Sequence, residues 1–224
     1  DASGQARADN GFGIELADTA GAVAFGGTQW SDGQVVYSSV VYTLHLNETG
    51  APVDTFVVVT PCCATYIGWA NSCFPRQGGG YGLGGRQVDT LGKSSAGLFL
   101  FAPHGALDTL IPYIQLPEDW AGRCGKQTPD GGYVITGETN ASGTSLDGFL
   151  LKLDSLGNQE WVQTYGLTNR TEYLTTVDLA PGNGYYLGGQ LNAGGGNYDQ
   201  WLLRVDSTGQ EVEEKAAAFL LAMS

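Results

Sequence analysis

The sequence predicts an all-β protein: a β-propeller of four four-stranded antiparallel blades, closed as a ring of four or forming part of a larger ring. Three observations predict it. A glycine that closes a short strand recurs as Gly27, Gly85, Gly137 and Gly189, in steps of 58, 52 and 52 residues. A second glycine, in a turn, recurs as Gly50, Gly105, Gly157 and Gly209, in steps of 55, 52 and 52 residues. The strand before that turn alternates, with Tyr42, Leu44 and Leu46 matching Phe149, Leu151 and Leu153, and Trp201, Leu203 and Val205. Period-two alternation marks a strand with one better-buried face. A repeat of about 52 residues with four short strands is one blade, which buries its faces only against its siblings.

The clearest copy runs from Asp130 to Gly166 and contains three strands in succession. Gly132 to Gly137 is β-branched and aromatic between glycines, Phe149 to Leu153 ends in the turn Asp154-Ser155-Leu156-Gly157, and Trp161 to Tyr165 follows. Glycine-, Asn- and Asp-rich turns between such runs are the signature of a meander. In the first unit, residues 1–10 read as a loose lead-in. Strands follow at Phe12 to Leu16, Gly21 to Gly27, Val40 to Leu46 and Val53 to Thr60. The second unit carries Gly97-Leu98-Phe99-Leu100-Phe101, apolar on both faces, and this predicts a strand covered on both sides or turned toward a partner. The four blades are expected at 11–60, 65–115, 118–166 and 171–224. After Gly209 the pattern departs, and AAAFLLAMS reads as an outer strand covering Phe219 and Leu220 or as a helical tail; the strand closes an otherwise open edge.

Composition narrows the function. The chain has 224 residues, enough for one domain with a core, and 35 glycines, as many turns require. Acids outnumber bases 23 to 10, a net charge of −13, which argues against nucleic acid and anionic membrane as partners. No apolar run is long enough to span a bilayer as a helix. The start at Asp1 suits a mature secreted product or a fragment.

Four cysteines, Cys62, Cys63, Cys73 and Cys124, suggest two disulfides in a secreted chain. A vicinal Cys62–Cys63 bridge is sterically poor, leaving 62–73 with 63–124 or 63–73 with 62–124; buried free thiols are the competing reading. Without a CxxC, and with neither histidine at ligand spacing from a cysteine, no metal site is expected.

Candidate chemistry is thin. His45 shares its strand slot with Lys152 and Arg204 and reads as solvated or edge-facing, and His104 sits in an exposed turn. Neither supports general-base catalysis, and no GxSxG, HExxH or P-loop string occurs. Asp147 and Asp199 recur at one turn position, where capping of backbone N–H groups is expected. Trp69, Trp120 and Tyr173 fall on the first strands of units two, three and four, as blade core or as an aromatic lining for sugars. Asn47, Asn140 and Asn169 lie in NxS/T strings, meaningful only in a secretory eukaryote.

The string DGGYVITGET…FLLKLDSLGNQEWVQTYG resembles the β-propeller repeat of secreted proteins from the Bacteroidetes group, which often end in a type IX secretion sorting domain. The match is close over 129–166, eroded over 182–209 and carried by the glycine markers before residue 115. The resemblance implies an extracellular or surface-exposed module without cofactor that binds or scaffolds, and it transfers no catalytic residue. It also brings in the Asp-Ser/Thr-aliphatic O-glycosylation pattern of such bacteria, matched here at Thr19, Thr90, Thr109 and Ser155. The expected function is therefore a non-enzymatic module binding a glycan or a protein. The alternatives are a self-assembling subunit of a surface layer, fibre or secretion complex, and a polysaccharide hydrolase or lyase.

Overall fold

The computed structural model describes residues 6–16, 21–31, 36–58, 64–68, 72–113, 118–141, 143, 145–167, 170–194 and 197–217. They form four antiparallel sheets in chain order. The first sheet comprises β1 (Ala6–Leu16), β2 (Gly21–Ser31), β3 (Val36–Asn47) and β4 (Pro52–Val57). In the second, the first strand is broken into β5 (Ala64–Ile67) and β6 (Cys73–Pro75), both paired with β7 (Tyr81–Val88), followed by β8 (Ser94–Phe101) and β9 (Leu107–Pro112). The third holds β10 (Trp120–Gln127), β11 (Tyr133–Thr139), β12 (Asp147–Leu153) and β13 (Gln159–Tyr165). The fourth holds β14 (Glu172–Ala180), β15 (Gly184–Gly194), β16 (Asn197–Val205) and β17 (Glu211–Ala217).

Both glycine markers have physical causes. The turn glycines Gly50, Gly105, Gly157 and Gly209 have φ of 78°, 94°, 84° and 79°, a region that other L-residues avoid. The side chains of Asn47, Asp154 and Asp206 cap three of these turns by accepting backbone N–H groups two and four residues on. The strand glycine lies beside a β-bulge in the first strand of its sheet. Pairing steps from Gly122↔Gly137 to Cys124↔Thr136, and from Leu174↔Gly189 to Thr176↔Gly188. A Cβ on Gly137 or Gly189 would strike the carbonyl oxygen of Ala121 or Tyr173.

That geometry corrects the first marker in unit one. There the bulge steps from Gly11↔Gly26 to Gly13↔Phe25, so Gly26, not Gly27, holds the structural position. The extra length of unit one lies in the long β2–β3 hairpin. Residues 6–10, expected as lead-in, are strand and pair with β2. In unit four, Glu211–Ala217 forms the fourth strand; Phe219 and Leu220 lie outside the described residues.

Three hydrophobic clusters lie between successive sheets. The back of the first sheet (Val23, Phe25, Val41) meets the front of the second (Leu83, Phe99, Phe101). The back of the second (Ala96, Leu98, Leu100) meets the front of the third (Ile135, Leu151, Leu153). The back of the third (Val134, Leu150) meets the front of the fourth (Leu187, Leu203, Val205). The strand around Phe99 is accordingly buried from both sides, as its two apolar faces required. A hydroxyl from each of the first three sheets also reaches the turn glycine of the next. Thr43 donates to Gly105 O at 2.6 Å, Tyr113 to Gly157 O at 2.7 Å and Tyr165 to Gly209 O at 2.8 Å.

Candidate functional site

A cavity of about 230 Å³ opens between the third and fourth sheets, at the end where the β10–β11 and β14–β15 turns lie. Its polar centre is Lys152, on the third strand of its sheet and almost fully buried. The Lys152 ammonium donates to Asp130 Oδ2 at 3.0 Å and to its neighbour's carbonyl, Leu153 O, at 2.9 Å. It also pairs with Glu160 Oε2 at 3.1 Å. A buried ammonium is sustained only by such a full set of acceptors. Asp130 is fixed in turn by the Thr128 hydroxyl and by Gly132 N–H at 3.0 Å. The Thr128 hydrogen bond, then the Gly132 N–H and Lys152, hold its carboxyl down at about 2.

The walls are aromatic. Trp161 and Tyr185 meet edge to face with ring centroids 6.2 Å apart, and both line the cavity with Leu179 and Asn183. Burial, followed by the nearby Asp130 and Glu160 charges, pushes the Tyr185 phenol up to about 12. Asn183 is the one described residue other than glycine with positive φ, 60°, in the turn Pro181-Gly182-Asn183-Gly184. The site thus offers two carboxylates, an ammonium, an amide and two rings.

The same slot is occupied differently in each unit. In the second sheet Leu100 takes the place of Lys152, and the cation comes from the first strand instead. Arg76, in the register position of Thr128, reaches Phe101 O at 3.4 Å and Asp108 Oδ2 at 3.4 Å. Phe101 and Asp108 are the register equivalents of Leu153 and Glu160. The third strand of the fourth sheet supplies Arg204 opposite Glu213, beside a smaller cavity of about 170 Å³. The first sheet supplies His45, half-buried, with Nδ1 sealed from solvent and without a hydrogen-bond partner among the described residues. His104 is exposed and stacks edge to face on Phe56 at 5.3 Å.

A second polar group lies along the first and second strands. Arg123, the extra residue of the β10 bulge, grips Glu138 with Nε at 2.8 and 3.0 Å and with Nη2. The Arg86 guanidinium lies 4.6 Å from the Tyr66 ring centroid. Burial and the Arg123 charge lower its proton affinity. In the fourth sheet, Glu172 is fully buried with both carboxylate oxygens sealed from solvent and outside hydrogen-bonding geometry among the described residues, the Leu167 backbone N–H being a nearby donor that opposes the effect of burial. Burial raises its pKa above 4.5.

The aromatic candidates do not form one lining. Trp120 is buried against Phe149, rings 5.0 Å apart, as a core residue. Tyr173 is out of register with it: Trp120 opposes Thr139, whereas Tyr173 opposes Gln190, the counterpart of Glu138. Its side chain therefore takes the other face and meets Tyr198 at 6.1 Å. Trp69 lies outside the described residues.

Both expected disulfide pairings need Cys73 and Cys124 bonded, yet both are buried thiols outside any disulfide. They belong to different clusters, Cys73 between the first and second sheets and Cys124 between the third and fourth. Burial, then Glu15, pushes the Cys73 thiol up to about 12, so it is inert as a nucleophile. Cys62 and Cys63 lie outside the described residues, as do Thr19 and Asn169. Thr90, Thr109 and Ser155 are exposed, as a modification acceptor must be. Among the described residues no group of three His, Cys, Asp or Glu side chains is placed to hold a metal ion.

Sequence reasoning passed over Lys152 as an outward strand position. The signal was present: a lone charge inside Phe149-Leu150-Leu151-Lys152-Leu153, with Asp130 and Glu160 on the neighbouring strand ends. The chain matches no protein-family model and none of the curated proteins.

Proposed function

We propose that the four sheets are propeller blades of an extracellular or cell-surface binding module, and that the Lys152 cavity seats one sugar unit of a glycan. The observation that carries this reading is the pairing of Trp161 and Tyr185 with pre-fixed Asp130, Glu160 and Asn183 in one small cavity. Sugars are recognised this way: apolar C–H faces lie on rings, while hydroxyls bond to groups already held in place. The ligand is a neutral or amino sugar rather than an acidic one, since two carboxylates face one ammonium and the chain carries a net charge of −13.

Nothing in this cavity favours hydrolysis. Asp130 and Glu160 share Lys152, and the low Asp130 pKa is the reverse of what a general acid needs. The test is a glycan array followed by titration calorimetry on the hits. Trp161→Ala is expected to weaken binding by about tenfold or more, as loss of a ring anchor does. An array without hits, or hits indifferent to Trp161→Ala, would overturn the site.

A further inference from the structure

No described residue covers the outermost faces of the four-sheet series, and they are the two halves of an interface made three times between successive sheets. On the back of the fourth sheet, Tyr186 is 39% and Leu202 47% exposed. Their register equivalents on the third sheet, Val134 and Leu150, are both 0% exposed because the fourth sheet covers them. On the front of the first sheet, Ile14 is 61% exposed, whereas Val177, its equivalent on the fourth sheet, is 1% exposed. Val57 lies exposed on the same front face, paired with Tyr42.

The turn glycines record the same gap independently. A Cβ built on Gly105 would meet Thr43 and Val23 of the preceding sheet, one on Gly157 would meet Ile111 and Tyr113, and one on Gly209 would meet Trp161. A Cβ built on Gly50 would meet no described atom within 4 Å. Among the described residues the first sheet therefore lacks the neighbour that every other sheet has on that side.

We propose that a second copy of this chain fills both gaps, head to tail: the fourth-sheet back of one copy packs on the first-sheet front of the next. Continuity with the internal interface selects this occupant. A sheet back in this molecule is covered by a sheet front, and among the described residues the first sheet carries the one front left open. Such contacts are heterologous, so they close into a ring of copies or run on as a filament. The fourth-sheet back carries Arg204 and Glu213 beside Tyr186 and Leu202, so the contact has an apolar centre and a charged margin. The copies repel through their net charge of −13, so added salt strengthens the assembly.

The experiment is mass photometry and sedimentation velocity on the whole chain, with Leu202→Glu and Ile14→Glu chosen because both side chains are exposed. Wild type is expected at multiples of 23.5 kDa, favoured by salt. Each variant alone should lose that assembly at least about tenfold in affinity. An equimolar mixture should recover a two-chain complex, because each variant keeps the face that the other has lost. Wild type that stays at 23.5 kDa overturns the proposal, whether closure is internal or supplied by another sheet of the same repeat. Variants that assemble normally, or a mixture that fails to recover, overturn it as well, the last by pointing to like-face pairing.

Discussion

The third and fourth sheets share a motif and a strand register, yet they live in different surroundings. Leu150 and Leu202 occupy one position, as do Val134 and Tyr186, but only the third-sheet pair is covered. Trp120 and Glu172 also share a slot at the start of the first strand: an indole packed on Phe149 in one sheet, a carboxylate in the other. The repeat specifies strands and turns, and burial comes from the neighbour. A residue's energetic weight is therefore a property of its place in the series rather than of the motif.

The largest test of that comparison is Leu151→Ala against Leu202→Ala. Leu151 is sealed between the second and third sheets, and its truncation should cost about 2–5 kcal/mol in a denaturant melt. Leu202→Ala should stay within about 0.5 kcal/mol in the dissociated chain. Equal losses would mean that the fourth-sheet back is covered after all.

Next comes the hydroxyl stitch. Tyr165→Phe strands the buried Gly209 carbonyl and should cost about 1–3 kcal/mol, as should Tyr113→Phe at Gly157. A melt unchanged by both would remove the stitch as a cause of sheet order.

Glu172 should then separate the two sheets by pH. Its folded pKa lies above the unfolded 4.5, so its contribution is complete below pH 4.5 and is lost as pH rises through the folded value. Glu172→Gln is expected to match wild type in acid and to exceed it by about 1 kcal/mol at neutral pH. A variant weaker at neutral pH would show that the carboxylate has a partner.

The smallest effect concerns Asp130. Its folded value of about 2 lies below the unfolded 3.8, so its contribution is present above pH 3.8 and is lost as pH falls toward 2. Because Asp130 is largely exposed, Thr128→Val should change stability by under about 1 kcal/mol, while the carboxyl titrates measurably nearer 3.8 by NMR.

The fold was legible where local chemistry dictated geometry. Gly157 must turn left-handed and Asp154 must cap, so DSLG announces itself wherever it stands. The slip from Gly26 to Gly27 arose where two adjacent glycines satisfy the pattern and only the bulge partner distinguishes them. The disulfides were misread because an even count cannot tell bridged cysteines from thiols buried as small core residues, which is what Cys73 and Cys124 are. Lys152 was missed for a related reason: period two assigns a face, but whether that face meets water depends on the fourth sheet, about thirty residues further on.

The bulge in each first strand has a last consequence. It absorbs one surplus residue in three sheets, Phe12, Arg123 and Thr175. In the second sheet the register at the same point runs from Ile67↔Gly85 to Cys73↔Leu83, with Ser72 O receiving Gly84 N–H at 3.1 Å between them, so the first strand advances six residues while its partner advances two. This is an expansion joint: chain can be added there while hydrogen bonding on both flanks keeps its phase. New recognition loops can be grafted at that joint without rewriting the scaffold that carries them.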